Sequence, residues 1–212
     1  MSISIDNKTI ALIGGTGNLG RGLALRWAKS SLKTVIGSRN REKAEKVASH
    51  LTEIVGKPIY GLTNEEASKI GEIIILSIPF EGLDHILGSI TPYIDNKIVI
   101  STIVAHSGSL KSAGETVRER LPRSVKVASA FQNIGYKALL DLDREVECDV
   151  VVCGDEEAKS VCIQLAEKIP GVRALDGGPI ENSRTIENMT HFLIYLSKKY
   201  KKSSPCIRFS GI

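Results

Sequence analysis

The run Ile10-Ala11-Leu12-Ile13-Gly14-Gly15-Thr16-Gly17-Asn18-Leu19-Gly20 leaves this chain few folds to choose from. Its apolar start reads as a buried strand, the glycines as a tight turn, and Arg21 to Ala28 as the helix that follows. Gly15-x-Gly17-x-x-Gly20 between a strand and a helix is the dinucleotide fingerprint. Gly15 permits the turn, Gly17 lets the backbone approach a pyrophosphate, and Gly20 lets the helix pack close on the strand. The helix start then offers free N–H groups and the positive end of its dipole to phosphates. Gly15, Thr16, Gly17, Asn18, Leu19 and Gly20 are the expected nucleotide cradle.

The next unit narrows the nucleotide. Lys33 to Gly37 is a short apolar strand followed by Ser38-Arg39-Asn40-Arg41. In NAD-binding chains an Asp or Glu about 20 residues past the fingerprint bonds the ribose 2′-OH. Here that place holds Gly37, Ser38 and Arg39, and the first carboxylate is Glu42, already inside the next helix pattern. A hydroxyl beside a guanidinium suits a 2′-phosphate, because Arg presents a planar fork of donors to phosphate oxygens. Lys43 adds a point charge. The expected cofactor is NADP(H).

Strand and helix patterns then alternate with short connections, the mark of βαβ units. Helices are expected over 42–54, 64–69 with Asn64 as cap, 83–90, 115–121, 156–169 and 183–199. Strands are expected over 58–61, 72–78, 97–101, 125–131, 149–153 and 172–175. The fold class is α/β, a Rossmann-type doubly wound and mostly parallel sheet with a small C-terminal α/β lobe. Residues 1–135 would form the NADP-binding domain and 136–212 the lobe, with a soft boundary between Gln132 and Glu147.

A formal charge of +4 spread along 212 residues does not suit a nucleic-acid partner, and the lysines at 198–202 read as a solvated helix end. Met1-Ser2-Ile3 does not open a signal peptide, and no apolar run approaches 18 residues. A cytoplasmic chain without membrane contact is expected. Cys148, Cys153, Cys162 and Cys206 lack metal-ligand spacing and are expected reduced and mostly buried.

In an open α/β sheet, ligands bind outside the carboxyl ends of the strands. Ser77 and Ile78 end the fourth strand, and Phe80 after them could pack on the cofactor or simply start a helix with Pro79. His106 reads as surface or as a substrate donor. Gln132 and Asn133, after the sixth strand, offer amides to a carboxamide or carbonyl. No Ser-His-Asp spacing and no paired carboxylates stand out, so no catalytic side chain is expected; hydride transfer needs positioning above all. Ser203-Ser204-Pro205 would stop the last helix, leaving Cys206-Ile207-Arg208-Phe209 as an apolar tail with no helix to belong to.

Several blocks together resemble the archaeal NADPH:coenzyme F420 oxidoreductases along the whole chain. They are the fingerprint, Gly37-Ser38-Arg39, Ser77-Ile78-Pro79, Val127 to Phe131, Cys153-Gly154-Asp155, Leu175 to Arg184 and the closing Ile207-Arg208-Phe209. The resemblance implies a homodimer that moves a hydride between NADP(H) and the deazaflavin coenzyme F420 as co-substrate. It places Thr16 to Leu19 on the pyrophosphate, Ser38, Arg39 and Lys43 on the 2′-phosphate, and Phe80 beside the cofactor. It also puts Pro205, Cys206 and Ile207 at the deazaflavin pocket. Ile103-Val104-Ala105-His106 and Gln132 to Tyr136 depart from the family pattern, both on the acceptor side. Other readings are an NADPH-dependent reductase of a flavin, metal chelate, carbonyl or imine, and a non-catalytic NADP-sensing module. Pyrroline-carboxylate and hydroxyacid reductases need a long helical second domain, and too little chain follows Gly178 to build one.

Overall fold

The structure is a computed structural model that describes residues 4–202 and 204–212. The expected roles of Met1-Ser2-Ile3 and Ser203 therefore lie outside the described residues. The elements run β1 (Thr9–Ile13), α1 (Asn18–Lys29), β2 (Lys33–Ser38), α2 (Arg41–Val55), β3 (Ile59–Thr63), α3 (Asn64–Ile70), β4 (Ile73–Leu76) and α4 (Leu83–Ile90). They continue with β5 (Ile98–Ser101), α5 (Ala113–Arg120), β6 (Lys126–Ser129), α6 (Tyr136–Leu140), β7 (Cys148–Gly154), α7 (Glu156–Glu167), β8 (Val172–Asp176) and α8 (Ser183–Lys199).

The strands form one sheet in the order β3-β2-β1-β4-β5-β6-β7-β8. All neighbours are parallel except β6 and β7, which pair antiparallel through Ala128↔Gly154 and Ser129↔Cys153. The inner strands β1, β4 and β5 are almost wholly apolar because both of their faces are covered. Ile10, Leu12, Ile73, Ile75 and Ile100 pack with Leu23, Trp27 and Val47 on the side of α1, α2 and α7. Ala11, Ile13, Ile74, Leu76 and Val99 face Ala67, Ile86 and Val117 on the side of α3, α4 and α5.

Sequence periodicity finds the strands but not α6. That helix has five residues, and residues 130–147 hold no other regular element. The connection holds no full crossover helix of the kind that usually returns a chain parallel, and β7 runs antiparallel to β6. The connection is tied to α1. The buried Arg26 guanidinium donates to the carbonyl oxygens of Ala138, Leu139, Asp141 and Arg144. Gly22 admits α6, since a Cβ there would stand 2.6 Å from Leu139 Cβ. Trp27, fully buried, donates its indole N–H to Leu165 O at 2.9 Å. The residues after 135 thus extend the sheet by β7 and β8 and share a core with α1.

Candidate functional site

Strand order reverses at β1, whose neighbours are β2 and β4. The carboxyl ends of β1 and β4 therefore flank the crevice where such sheets bind ligands. The fingerprint turn is fixed from three sides. Gly15 N–H donates to both Leu12 O and Gly37 O, and Gly17 N–H to Gly14 O. Gly14 has φ +72, and a Cβ there would strike Ile78 Cγ2 at 2.4 Å, so the end of β4 packs directly on the turn. Gly20 lies against Gly15, with a Cβ position only 2.7 Å from Gly15 Cα. Gly17 differs from these glycines: a Cβ there would meet nothing nearer than Gly14 O at 3.6 Å. Gly17 caps α1, whose first N–H groups, those of Asn18, Leu19 and Gly20, have no intrahelical acceptor. Thr16 O is taken by the Arg21 side chain at 2.9 Å.

Asn64 also holds this turn. Sequence reasoning placed it as the cap of α3, but Thr63 is the cap, in a reciprocal box with Glu66. The nearly fully buried Asn64 instead accepts the Gly14 N–H on Oδ1 at 3.2 Å, 50 residues away in sequence. Gly37 makes room for it, because a Cβ there would sit 3.0 Å from that oxygen.

The end of β2 sorts its polar residues. Ser38 is buried and its Oγ accepts from Asn40 N–H at 3.2 Å, so it shapes the turn. Asn40 caps α2 by accepting from Lys43 N–H at 2.8 Å. Arg41 pairs with Glu45 at 2.9 Å and Glu66 at 2.6 Å. Arg39 and the Lys43 ammonium stand exposed at the start of α2, without a hydrogen bond or ion pair among the described residues.

At the end of β4, Ser77 N–H donates to Ile13 O, and Ile78 and Phe80 pack on the core below α4. Phe80 meets His106 edge-on, ring centroids 5.4 Å apart, and His106 Nε2 is 3.5 Å from Glu81 Oε1. The loop carrying His106 is held by α8, which the sequence did not suggest. The buried Glu187 carboxylate accepts from the N–H groups of Ala105, Ala113 and Gly114 at 2.9, 2.9 and 3.1 Å. Burial pushes this carboxyl above its ordinary pKa, against the pull of the three donors. Arg184 pairs with Glu115 at 2.5 Å, and the Ser112 and Ser183 hydroxyls meet at 2.7 Å.

After β6, Phe131 is buried with φ +71, a conformation that non-glycine residues seldom adopt. Gln132 and Asn133 are buried, and their amide donors are spent inside the protein. Gln132 Nε2 donates to Ser129 Oγ at 2.6 Å, and Asn133 Nδ2 to Asp149 O at 2.7 Å. Asn133 Oδ1 is buried without a partner. Free amide donors facing the crevice, the expectation for both residues, are not what the structure holds. The tail lies along the start of β7. Asp149 N–H donates to Ile207 O at 2.8 Å, and the Asp149 carboxylate accepts from Phe209 N–H and Arg173. Phe209 packs with Val151 and Ile186, while Pro205, Cys206 and Ile207 remain half-buried. Because β7 runs opposite to β6, its start lies on the same edge of the sheet as the fingerprint. The cradle, the phosphate turn and the tail therefore share one edge.

Residues 9–105 match the family described as NADP oxidoreductase, coenzyme F420-dependent. The F420-dependent NADP reductase of Methanocaldococcus jannaschii is 43% identical over 96% of this chain and 98% of its own length. The chain belongs to the F420-dependent NADP reductase family. The reductase of the same name from Methanothermobacter thermautotrophicus is 37% identical over 99% of the chain and 98% of its own. A solved Arthrobacter structure, described as a candidate F420-dependent NADP reductase, shares the fold of this reductase-family chain. Its TM-score is 0.82 at 18% identity, over 96% of this chain and all of that one. Among the described residues no helix is long and apolar enough to cross a membrane, and no cluster of side chains could hold a metal ion.

Proposed function

We propose that this chain transfers a hydride between NADP(H) and coenzyme F420. The open space at Gly17, at the start of α1, together with the unpartnered Arg39 that follows β2, carries the nucleotide half. Near-full-length kinship with two F420-dependent NADP reductases carries the acceptor half. With Gly15 and Gly17 shaping the turn, the free backbone N–H groups of Asn18, Leu19 and Gly20 hold the pyrophosphate, and the oxygens of a 2′-phosphate meet Arg39 and Lys43 while Ser38 holds their turn. Ser77, Ile78 and Phe80 border the nicotinamide side. Gln132 and Asn133 brace the floor of the acceptor side, and Pro205, Cys206 and Ile207 wall it. Nicotinamide and deazaflavin supply the redox chemistry; the side chains here bind, orient and exclude water, and none is a general acid or base.

Residues 1–135 serve as the NADP-binding part, and residues 136–212 complete the acceptor side. Phe192, Ile194 and Tyr195 stand about half-exposed along α8 and supply the contact of a cytoplasmic homodimer. Mixing the purified protein with NADPH and oxidised F420 under anaerobic conditions tests the activity. Stoichiometric loss of both absorbance bands is expected. Saturable NADPH binding without turnover would make the chain a sensing module.

A further inference from the structure

Where the tail runs along the start of β7, Cys206, which the hydride-transfer reading places in the acceptor wall, neighbours Cys148, which that reading leaves unused. Cys148 opens β7 and is fully buried, whereas Cys206 lies half-buried in the tail. The backbone pairing of Asp149 N–H with Ile207 O sets the two strands side by side one residue further on. Cys206 Sγ lies 3.0 Å from Glu147 O, the residue just before Cys148, and the two thiols are near enough to shift each other's acidity. Cys206 borders a groove of about 690 Å³ between the tail and residues 135–147, lined also by Lys137, Arg144 and Ser204. A small solute in that groove reaches Cys206, and Cys148 stands directly behind it.

We infer that Cys206 and Cys148 form a redox-sensitive pair, oxidised by a small hydroperoxide to a disulfide that fastens the tail to β7. The two sulfurs take unequal parts because their surroundings differ. The Cys148 thiol beside it, with Arg208 nearby, brings the Cys206 thiol down to about 7, which supplies a thiolate near neutrality. The Cys206 sulfur and burial in turn push Cys148 far up, so it waits as a thiol. The Cys206 thiolate attacks one peroxide oxygen; the O–O bond breaks, and the departing oxygen leaves as water after protonation. Cys148 sulfur then attacks the Cys206 sulfenic sulfur. The S–S bond forms, the S–O bond breaks, and a second water leaves with the Cys148 proton. Two thiols and one hydroperoxide molecule thus give one disulfide and two waters when the oxidant is hydrogen peroxide. Cys153 and Cys162 are fully buried, with thiols that burial pushes up, and stay reduced.

The test treats the native full chain with equimolar hydrogen peroxide and maps the products by mass spectrometry after cleavage before Asp149, which separates Cys148 from Cys153. A loss of two hydrogens in a Cys148–Cys206 cross-linked peptide, reversed by dithiothreitol, is the expected result. Cys206→Ser should leave Cys148 unmodified. Cys148→Ala should halt oxidation at a Cys206 sulfenic acid that dimedone traps. If Cys148→Ala fails to fold, the wild-type and Cys206→Ser arms still decide. Wild-type Cys206 passing to sulfinic acid with Cys148 still alkylatable, a cross-link to Cys153 or Cys162, or no oxidation at all would each overturn the assignment.

Discussion

Arg39 and Arg41 sit two residues apart in one basic turn and have different tasks. Arg41 is held by Glu45 and Glu66, while Arg39 has no partner among the described residues. A phosphate-reading side chain must be free to form charge-assisted bonds, and in this turn Arg39 and Lys43 are free among the described residues. Arg39→Ala should weaken NADPH binding by roughly 30- to 1000-fold and leave NADH nearly unaffected, in paired fluorescence titrations. Equal losses for both nucleotides would remove Arg39 from the 2′-phosphate. The glycines divide in the same way. Gly17→Val puts a side chain into open space, so circular dichroism should be unchanged while NADPH binding disappears. Gly20→Val drives a side chain into Gly15 and should lower the melting temperature outright. The sequence shows which residue types stand at the cradle. It cannot show that Ser38 and Asn40 shape the turn, or that Asn64 reaches Gly14 from 50 residues away.

Among the elements, the parallel strands were legible because sheets covered on both faces are written as continuous apolar runs. Expected strands over 72–78 and 125–131 ran past the observed ends at Leu76 and Ser129, since apolar residues continue into the loops that line the crevice. The short α6 and the role of α8 were illegible. The first has too few turns for periodicity, and the second depends on one buried Glu187 meeting three backbone donors. In the tail the structure separates two apolar residues that the sequence treats alike. Phe209 packs between β7 and α8, whereas Ile207 belongs to no core cluster. Phe209→Ala should therefore destabilise the fold by about 1–3 kcal/mol, below the cost of a fully buried Phe. Ile207→Ala should raise KM for F420 several-fold with the melting temperature and NADPH affinity unchanged. The opposite pattern, with Ile207→Ala melting early and turning over normally, would make the tail padding alone.

For the molecule as a whole, the C-terminal segment is not appended but woven in, through Arg26, Trp27 and Asp149. Asp149 is fully buried and joins β7, Arg173 on β8 and the tail. The Arg173 guanidinium holds the Asp149 carboxyl below its ordinary value. A depressed native pKa gives stability that is present above the unfolded carboxylate value of about 3.9 and lost as pH falls through the native one. Thermal melts from neutral to acid pH should show a steep acid limb that Asp149→Asn flattens, with neutral-pH stability lowered in the variant. An identical acid limb in both proteins would remove Asp149 as its cause. The proposed reading makes one demand above all: with the glycine turn, the Ser38–Arg39 turn and the tail on one end of the sheet, hydride passes directly from nicotinamide to deazaflavin. NADPH stereospecifically deuterated at the transferred position, reacted with F420 in ordinary water, measures this most directly. Quantitative deuterium in the reduced deazaflavin from one of the two labelled epimers is the predicted result, and loss of the label to solvent from both would contradict it.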